Sequence, residues 1–159
     1  MSRLIADPRV IQTHLAQLID TPACLAAAVA GLDEARLRLP PAPRQWSAIE
    51  ILAHLRSCAD LWGYSIYAML TEDKPTLPLL DPRRWARALR YTHLEFAPAF
   101  QVFNLQRREL LNVLNSIPSD AWNRTADIGG RAHSIFSQTR RLALHEVEHC
   151  VQFEALFTA

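Results

Sequence analysis

The sequence predicts an all-α fold: a four-helix bundle with a long crossover between its second and third helices. Leu and Ala number 23 each, against nine Ile and six Val, a balance that favours helices over strands. Glycine occurs only four times, and the ten prolines mark breaks in the chain. Apolar residues recur at helical spacing in four segments long enough to form a bundle.

The first helix is expected over residues 9–30. Thr21-Pro22 lies inside it and suits a restart or a kink, with Thr as N-cap and Pro at the first helical position. Pro40, Pro41 and Pro43 then force a loop. Ser47-Ala-Ile-Glu50 is a capping box with Trp46 at the staple position, so the second helix starts at Ser47 and runs to about Leu70. Pro75, Pro78 and Pro82 set a long connection to about Tyr91, with a short helix around residues 83–89. The third helix is expected over 98–116, where Phe100, Phe103, Leu110, Leu111 and Leu114 fall at helical spacing. Residues 119–123 form one turn, and Gly129-Gly130 breaks the chain before a fourth helix over 134–157. No sheet is expected beside that helix. Residues 1–159 read as a single domain; at this size a chain buries roughly 68–70% of its unfolded surface and needs no disulfide staple.

Charge excludes some functions. Seventeen basic and 16 acidic residues leave a net +1, with no block of like charge, so no nucleic-acid footprint is expected. The longest apolar run, residues 23–32, is too short for a bilayer span of about 20 residues. The N-terminus lacks an apolar secretory core. Cys24, Cys58 and Cys150 are widely spaced with no CxxC, which fits reduced thiols and a cytoplasmic location.

The histidines carry the chemistry. His145 and His149 stand four apart on the fourth helix, an offset of about 40° with Cβ atoms ~5–6 Å apart, so both imidazoles can reach one cation. Ile135, Leu142, Phe153 and Leu156 share their face, which turns it inward. His54 shares a face of the second helix with Ile51, Cys58, Leu61, Trp62 and Met69. A lone inward histidine is ordinarily a hydrogen-bonded core residue. Three converging without a carboxylate partner are costly as cations and poorly satisfied as neutral groups, and a bound metal resolves this. His145-Glu-Val-Glu-His149 also spells HExxH, in which Glu146 would act as general base. Only ten residues follow His149, too few for the usual third ligand, so Glu146 is kept only as a candidate for proton transfer. His14, His93 and His133 are given surface or capping roles. Cys58, one turn after His54, is expected to pack rather than to ligate.

Together these residues resemble the DinB/YfiT-like family of metal-binding four-helix bundles. The resemblance rests on Trp46-Ser47, Glu50 and His54-Leu55 on the second helix, then on His145, His149 and Gln152 on the last. It extends through the crossover and the Asp120-Ala-Trp122 turn. It implies a divalent ion, Zn²⁺ or Ni²⁺, held by His54, His145 and His149 with coordination positions left open. It also implies a small-molecule substrate and a choice of activities. The first is S-transfer using a small thiol such as mycothiol or bacillithiol, the second is metal-dependent hydrolysis, and the third is metal binding without catalysis. Where the family often carries acidic residues after His-Leu, this chain has Ser57 and Ala59.

The fourth helix has a second apolar stripe, Phe136, Ala143, Val147 and Cys150. A helix apolar on two sides buries both, so a homodimer is expected.

Overall fold

A computed structural model describes residues 6–157. Four long helices form the body: α1 Pro8–Ala28, α3 Ala48–Thr71, α5 Phe96–Ser116 and α6 Ile135–Ala155. Two short helices, α2 Glu34–Arg38 and α4 Pro82–Ala88, lie in the connections. α6 packs between α1 and α3, while α5 packs against α3 and α1 from the opposite side. The bundle expected from the sequence is therefore present.

Each long helix starts where its local chemistry allows. The Asp7 carboxylate accepts from the Arg9 N–H at 2.9 Å, and Pro8 fills the first helical position of α1. α1 then runs through Pro22 without restarting. Thr21 is not a cap there: its hydroxyl donates to the Gln17 carbonyl at 3.0 Å. At the head of α3 the Glu50 carboxylate accepts from the Ser47 N–H at 2.8 Å and from its hydroxyl at 2.9 Å.

α2 has no counterpart in the sequence reading. Asp33 caps it, and Arg38 pairs with Glu34 while donating to the Thr92 and Leu94 carbonyls. Those bonds tie the first connection to the end of the crossover.

The expectation of no sheet is corrected. β1 Thr76–Leu77 pairs in parallel with β2 Thr125–Ile128, and β2 pairs antiparallel with β3 Ala132–Ser134. Gly129 and Gly130, read from sequence as a break, form the turn between β2 and β3 at φ 60° and 79°. A Cβ on Gly129 would come within 2.6 Å of Leu79 Cβ, so this turn takes the crossover against its backbone. The hairpin ends at Ser134, whose hydroxyl accepts from the Ser137 N–H at 3.1 Å and starts α6. The small sheet thus fixes where α6 begins, and with it the faces that His145 and His149 occupy.

The second stripe of α6 finds its cover inside the bundle. Phe136 is 6% exposed and Ala143 is fully buried in the main core cluster with Ile11, Leu15 and Leu18 of α1. Val147 stays on the surface. Most of the stripe closes the bundle, so it no longer supports the expected homodimer. Among the described residues no helix is long and apolar enough to cross a membrane.

The crossover is held to α3 by one carboxylate. Asp60 accepts from the Tyr91 hydroxyl at 2.6 Å, Gln106 Nε2 at 2.7 Å and Trp85 Nε1 at 3.3 Å. This hub joins α3 to α4, α5 and the turn between them, and it places the start of α4 beside His54.

Candidate metal centre

α3 and α6 pack side by side and bring His54, His145 and His149 together. His54 Nε2 lies 3.1 Å from His145 Nε2, which lies 3.2 Å from His149 Nε2. The three rings meet edge to face, with centroids 4.5 to 5.1 Å apart. One imidazole nitrogen carries either a proton or a lone pair, so His145 Nε2 cannot satisfy both neighbours by hydrogen bonding. A tetrahedral ion with bonds of ~2.0–2.1 Å would set its nitrogen ligands about 3.3 Å apart. The observed spacings fall within about 0.2 Å of that geometry.

The surroundings keep the rings neutral, the form that binds metal. Burial, reinforced by the neighbouring histidines, pushes His54 down to about 4 and His145 down to about 3. Burial lowers His149 as well. Gln152 Oε1 stands 2.7 Å from His149 Nδ1 and accepts its proton, which leaves the Nε2 lone pair facing the cluster. Among the described residues His145 Nδ1 is buried without a hydrogen-bond partner. Trp46 stacks on His149 at 6.2 Å, and Trp62 meets His145 edge-on at 5.0 Å. The residues present fit a divalent ion.

Cys58 approaches the same place. Ligand atoms of His54, Cys58 and His145 all lie within 4.8 Å of one another. The Cys58 Sγ, however, is 3.7 Å from His54 Nε2 and 3.9 Å from Nδ1. Near-equal distances put the sulfur against the side of the ring, off the Nε2 lone-pair direction. An ion on that lone pair would sit about 4 Å from the sulfur, against ~2.3 Å for a Zn–S bond. Burial pushes the thiol up to about 12. These distances favour packing over ligation for Cys58.

Glu146 points elsewhere. It is fully buried, and its carboxylate pairs with Arg107 Nη2 of α5. Of the HExxH pattern, only the two histidines face the cluster.

A cleft of about 830 Å³ opens onto the three histidines. Arg44, Trp46, Arg83, Glu148 and Gln152 also line it. A second cavity of about 510 Å³ adjoins it and shares Trp46, His54 and Arg83. Sequence reasoning missed Arg44, Arg83 and Glu148. Glu148 was legible in principle, since it stands three residues after His145. The two arginines come from connections whose path no periodicity reports.

Comparison with known proteins agrees with this fold. The DinB superfamily profile matches residues 17–153. A protein of Geobacillus thermodenitrificans named "putative metal-dependent hydrolase" is 23% identical over 154 residues, which cover 92% of this chain and 83% of that one. The solved structure of YfiT from Bacillus subtilis, described as "a probable metal-dependent hydrolase with an unusual four-helix bundle topology", superposes with a TM-score of 0.84. The alignment covers 96% of this chain and 88% of YfiT at 14% identity, which shows a shared fold.

Proposed function

Because the chain belongs to the DinB superfamily, we propose that it is a metal-dependent enzyme that uses a small thiol to attack an electrophilic small molecule, an S-transferase. The observation that carries this reading is the convergence of three neutral imidazoles at the floor of an open cleft. A bound Zn²⁺ or Ni²⁺ would supply Lewis acidity that favours the thiolate form of a thiol, a soft ligand suited to either ion.

The chain's own groups have narrower tasks. His54, His145 and His149 hold the ion, and Gln152 fixes the His149 tautomer. Trp46 and Trp62 wall the histidines with aromatic surface and hold the rings in place. The nucleophile comes from outside: Cys58 does not line the cleft and its thiol is held protonated by burial. Glu146, paired with Arg107, has no path to a substrate.

The descriptions of the Geobacillus protein and of YfiT as metal-dependent hydrolases favour a second reading, metal-dependent hydrolysis. The open cleft counts against a third, a metal-binding stress-response protein without catalysis, whose site would be closed or occluded. The deciding assay presents the metal-loaded protein with a haloarene or an epoxide, with and without bacillithiol, mycothiol or glutathione, and in parallel with simple esters. Turnover that requires a thiol supports transfer. Ester hydrolysis without thiol replaces transfer by hydrolysis. Inertness in every arm overturns both.

A further inference from the structure

Two features of the cleft wall have no part in holding an ion. Arg83, at the start of α4, is exposed and lines both the cleft over the histidines and the cavity beside it. Its guanidinium lies 5.1 Å from the Trp46 ring centre, and among the described residues it has no carboxylate within ion-pair distance. Arg44 stands on the same cleft with a left-handed backbone, φ 68°, a conformation that costs a residue with a Cβ. The nearby acids are engaged elsewhere. Glu50 is committed to Ser47, and Asp81 accepts from the Arg83 backbone N–H at 2.8 Å. Among the described residues Glu148 is then the single uncommitted carboxylate side chain on the cleft, against two guanidiniums. A planar guanidinium held over an indole keeps its edge N–H groups free for a bidentate oxyanion.

We propose that Arg83, assisted by Arg44, is an anion-binding subsite beside the metal centre, so that the substrate is a small organic anion. Its reacting end lies at the histidines, and a carboxylate or similar oxyanion lies on Arg83. The inference rests on the metal reading of His54, His145 and His149 for the first contact only. The second contact stands on Arg83, Trp46 and the two cavities they share.

The test uses the full chain loaded with Co²⁺, whose visible spectrum reports what enters the ion's surroundings. It is titrated with propionate, with succinamide, and with malonate, succinate and glutarate to scan spacing. The best dicarboxylate is expected to bind at least tenfold tighter than propionate. Arg83→Gln should erase that preference while leaving propionate within about twofold; Arg83→Lys should keep part of it, having charge without the fork. Arg108→Gln, altering an exposed arginine of α5 that lines neither cavity, should change nothing. No dicarboxylate preference in the wild type, or one that survives Arg83→Gln, overturns the subsite. Failure to bind Co²⁺ at all overturns the metal reading instead. The subsite is then read on the metal-free protein by dicarboxylate-induced change in tryptophan fluorescence, which Arg83→Gln must abolish; no change in the wild type overturns it too.

Discussion

His145 and Glu146 are consecutive residues of α6, yet they face different surroundings. His145 joins His54 and His149 under an open cleft, where nitrogens converge that the protein alone cannot satisfy. Glu146 faces Arg107 inside the bundle, where a carboxylate and a guanidinium, 0% and 2% exposed, meet as one ion pair of opposite charge, although Glu146 Oε2 and Arg107 Nε and Nη1 find no further partner among the described residues. The first face is neutral, open and short of a partner. The second is charged, closed and paired. A site built for something outside the chain leaves like groups converging beside solvent, whereas a structural polar contact brings its own complement. Perturbed titration alone does not separate them, since burial shifts groups on both faces.

The largest expected effect lies on the closed face. Glu146→Ala strips one partner from a buried pair and leaves Arg107 charged among apolar groups. Such changes cost about 3–5 kcal/mol. Urea unfolding should show that loss, while the metal content of the folded fraction stays at the wild-type level. Replacing both partners, Arg107→Met with Glu146→Leu, should restore wild-type stability or exceed it by roughly 1–4 kcal/mol. A folded Glu146→Ala protein that has lost its metal would merge the two faces and break the comparison.

On the open face the same kind of truncation should act in reverse. His54→Ala removes a ligand and leaves only two, so bound metal after dialysis should fall from stoichiometric to near zero. The metal-free stability should change by no more than about 1 kcal/mol, because the ring is only part-buried and neutral. Elemental analysis beside the unfolding curve checks both statements. Stoichiometric metal in both His54→Ala and His149→Ala would remove the triad.

Acid should separate the faces again, more gently. In the metal-free protein, folding holds His54 and His145 at about 4 and about 3, below the ordinary value of 6.5. Between those limits the unfolded chain takes up protons that the native protein refuses. Stability is therefore full above about 6.5 and falls as pH drops toward 4, by at most about 1.4 kcal/mol per pH unit for each histidine. Glu146, raised by burial, works with the opposite sign: the native state keeps its proton longer as pH rises. The Arg107→Met, Glu146→Leu protein should hence lose stability in acid more steeply than the wild type. Chelator-treated samples unfolded across pH 4 to 7 would show it.

Sequence periodicity reached the helices and the histidines because both depend on spacing within one element. The capping box at Ser47 and Glu50 set the phase of α3, and a separation of four set His145 beside His149. It did not reach the sheet, since β1 has two residues and β3 three, too few for an alternating pattern to stand out. The orientation of Glu146 was hidden for another reason. HExxH reads as one motif in the chain, but position 146 is rotated about 100° from position 145, and only the packing of α5 shows that Arg107 waits there. Arg83 needed the crossover's path, which the Asp60 hub sets from three separate elements.

The smallest expected effect concerns Cys58, which sits between the two descriptions. Its sulfur stands among the ligand atoms of His54 and His145, and it is buried and protonated as a core residue is. If its sulfur only packs against the ring, Cys58→Ala should leave metal stoichiometry unchanged and cost about 1 kcal/mol, the ordinary price of a small change in a core. Its native thiol should also resist iodoacetamide with or without metal, since the thiolate is the reactive form and burial suppresses it. A sulfur bonded to the ion behaves differently in both respects. Removing it would weaken metal retention, and stripping the metal would expose a thiol that the ion had protected. The Co²⁺-loaded protein distinguishes the cases directly: intense sulfur-to-cobalt absorption in the near ultraviolet, lost in Cys58→Ala, would move Cys58 to the open face and make the centre a four-ligand site. Its absence leaves three histidines at the floor of the cleft, with room for a substrate's own donor.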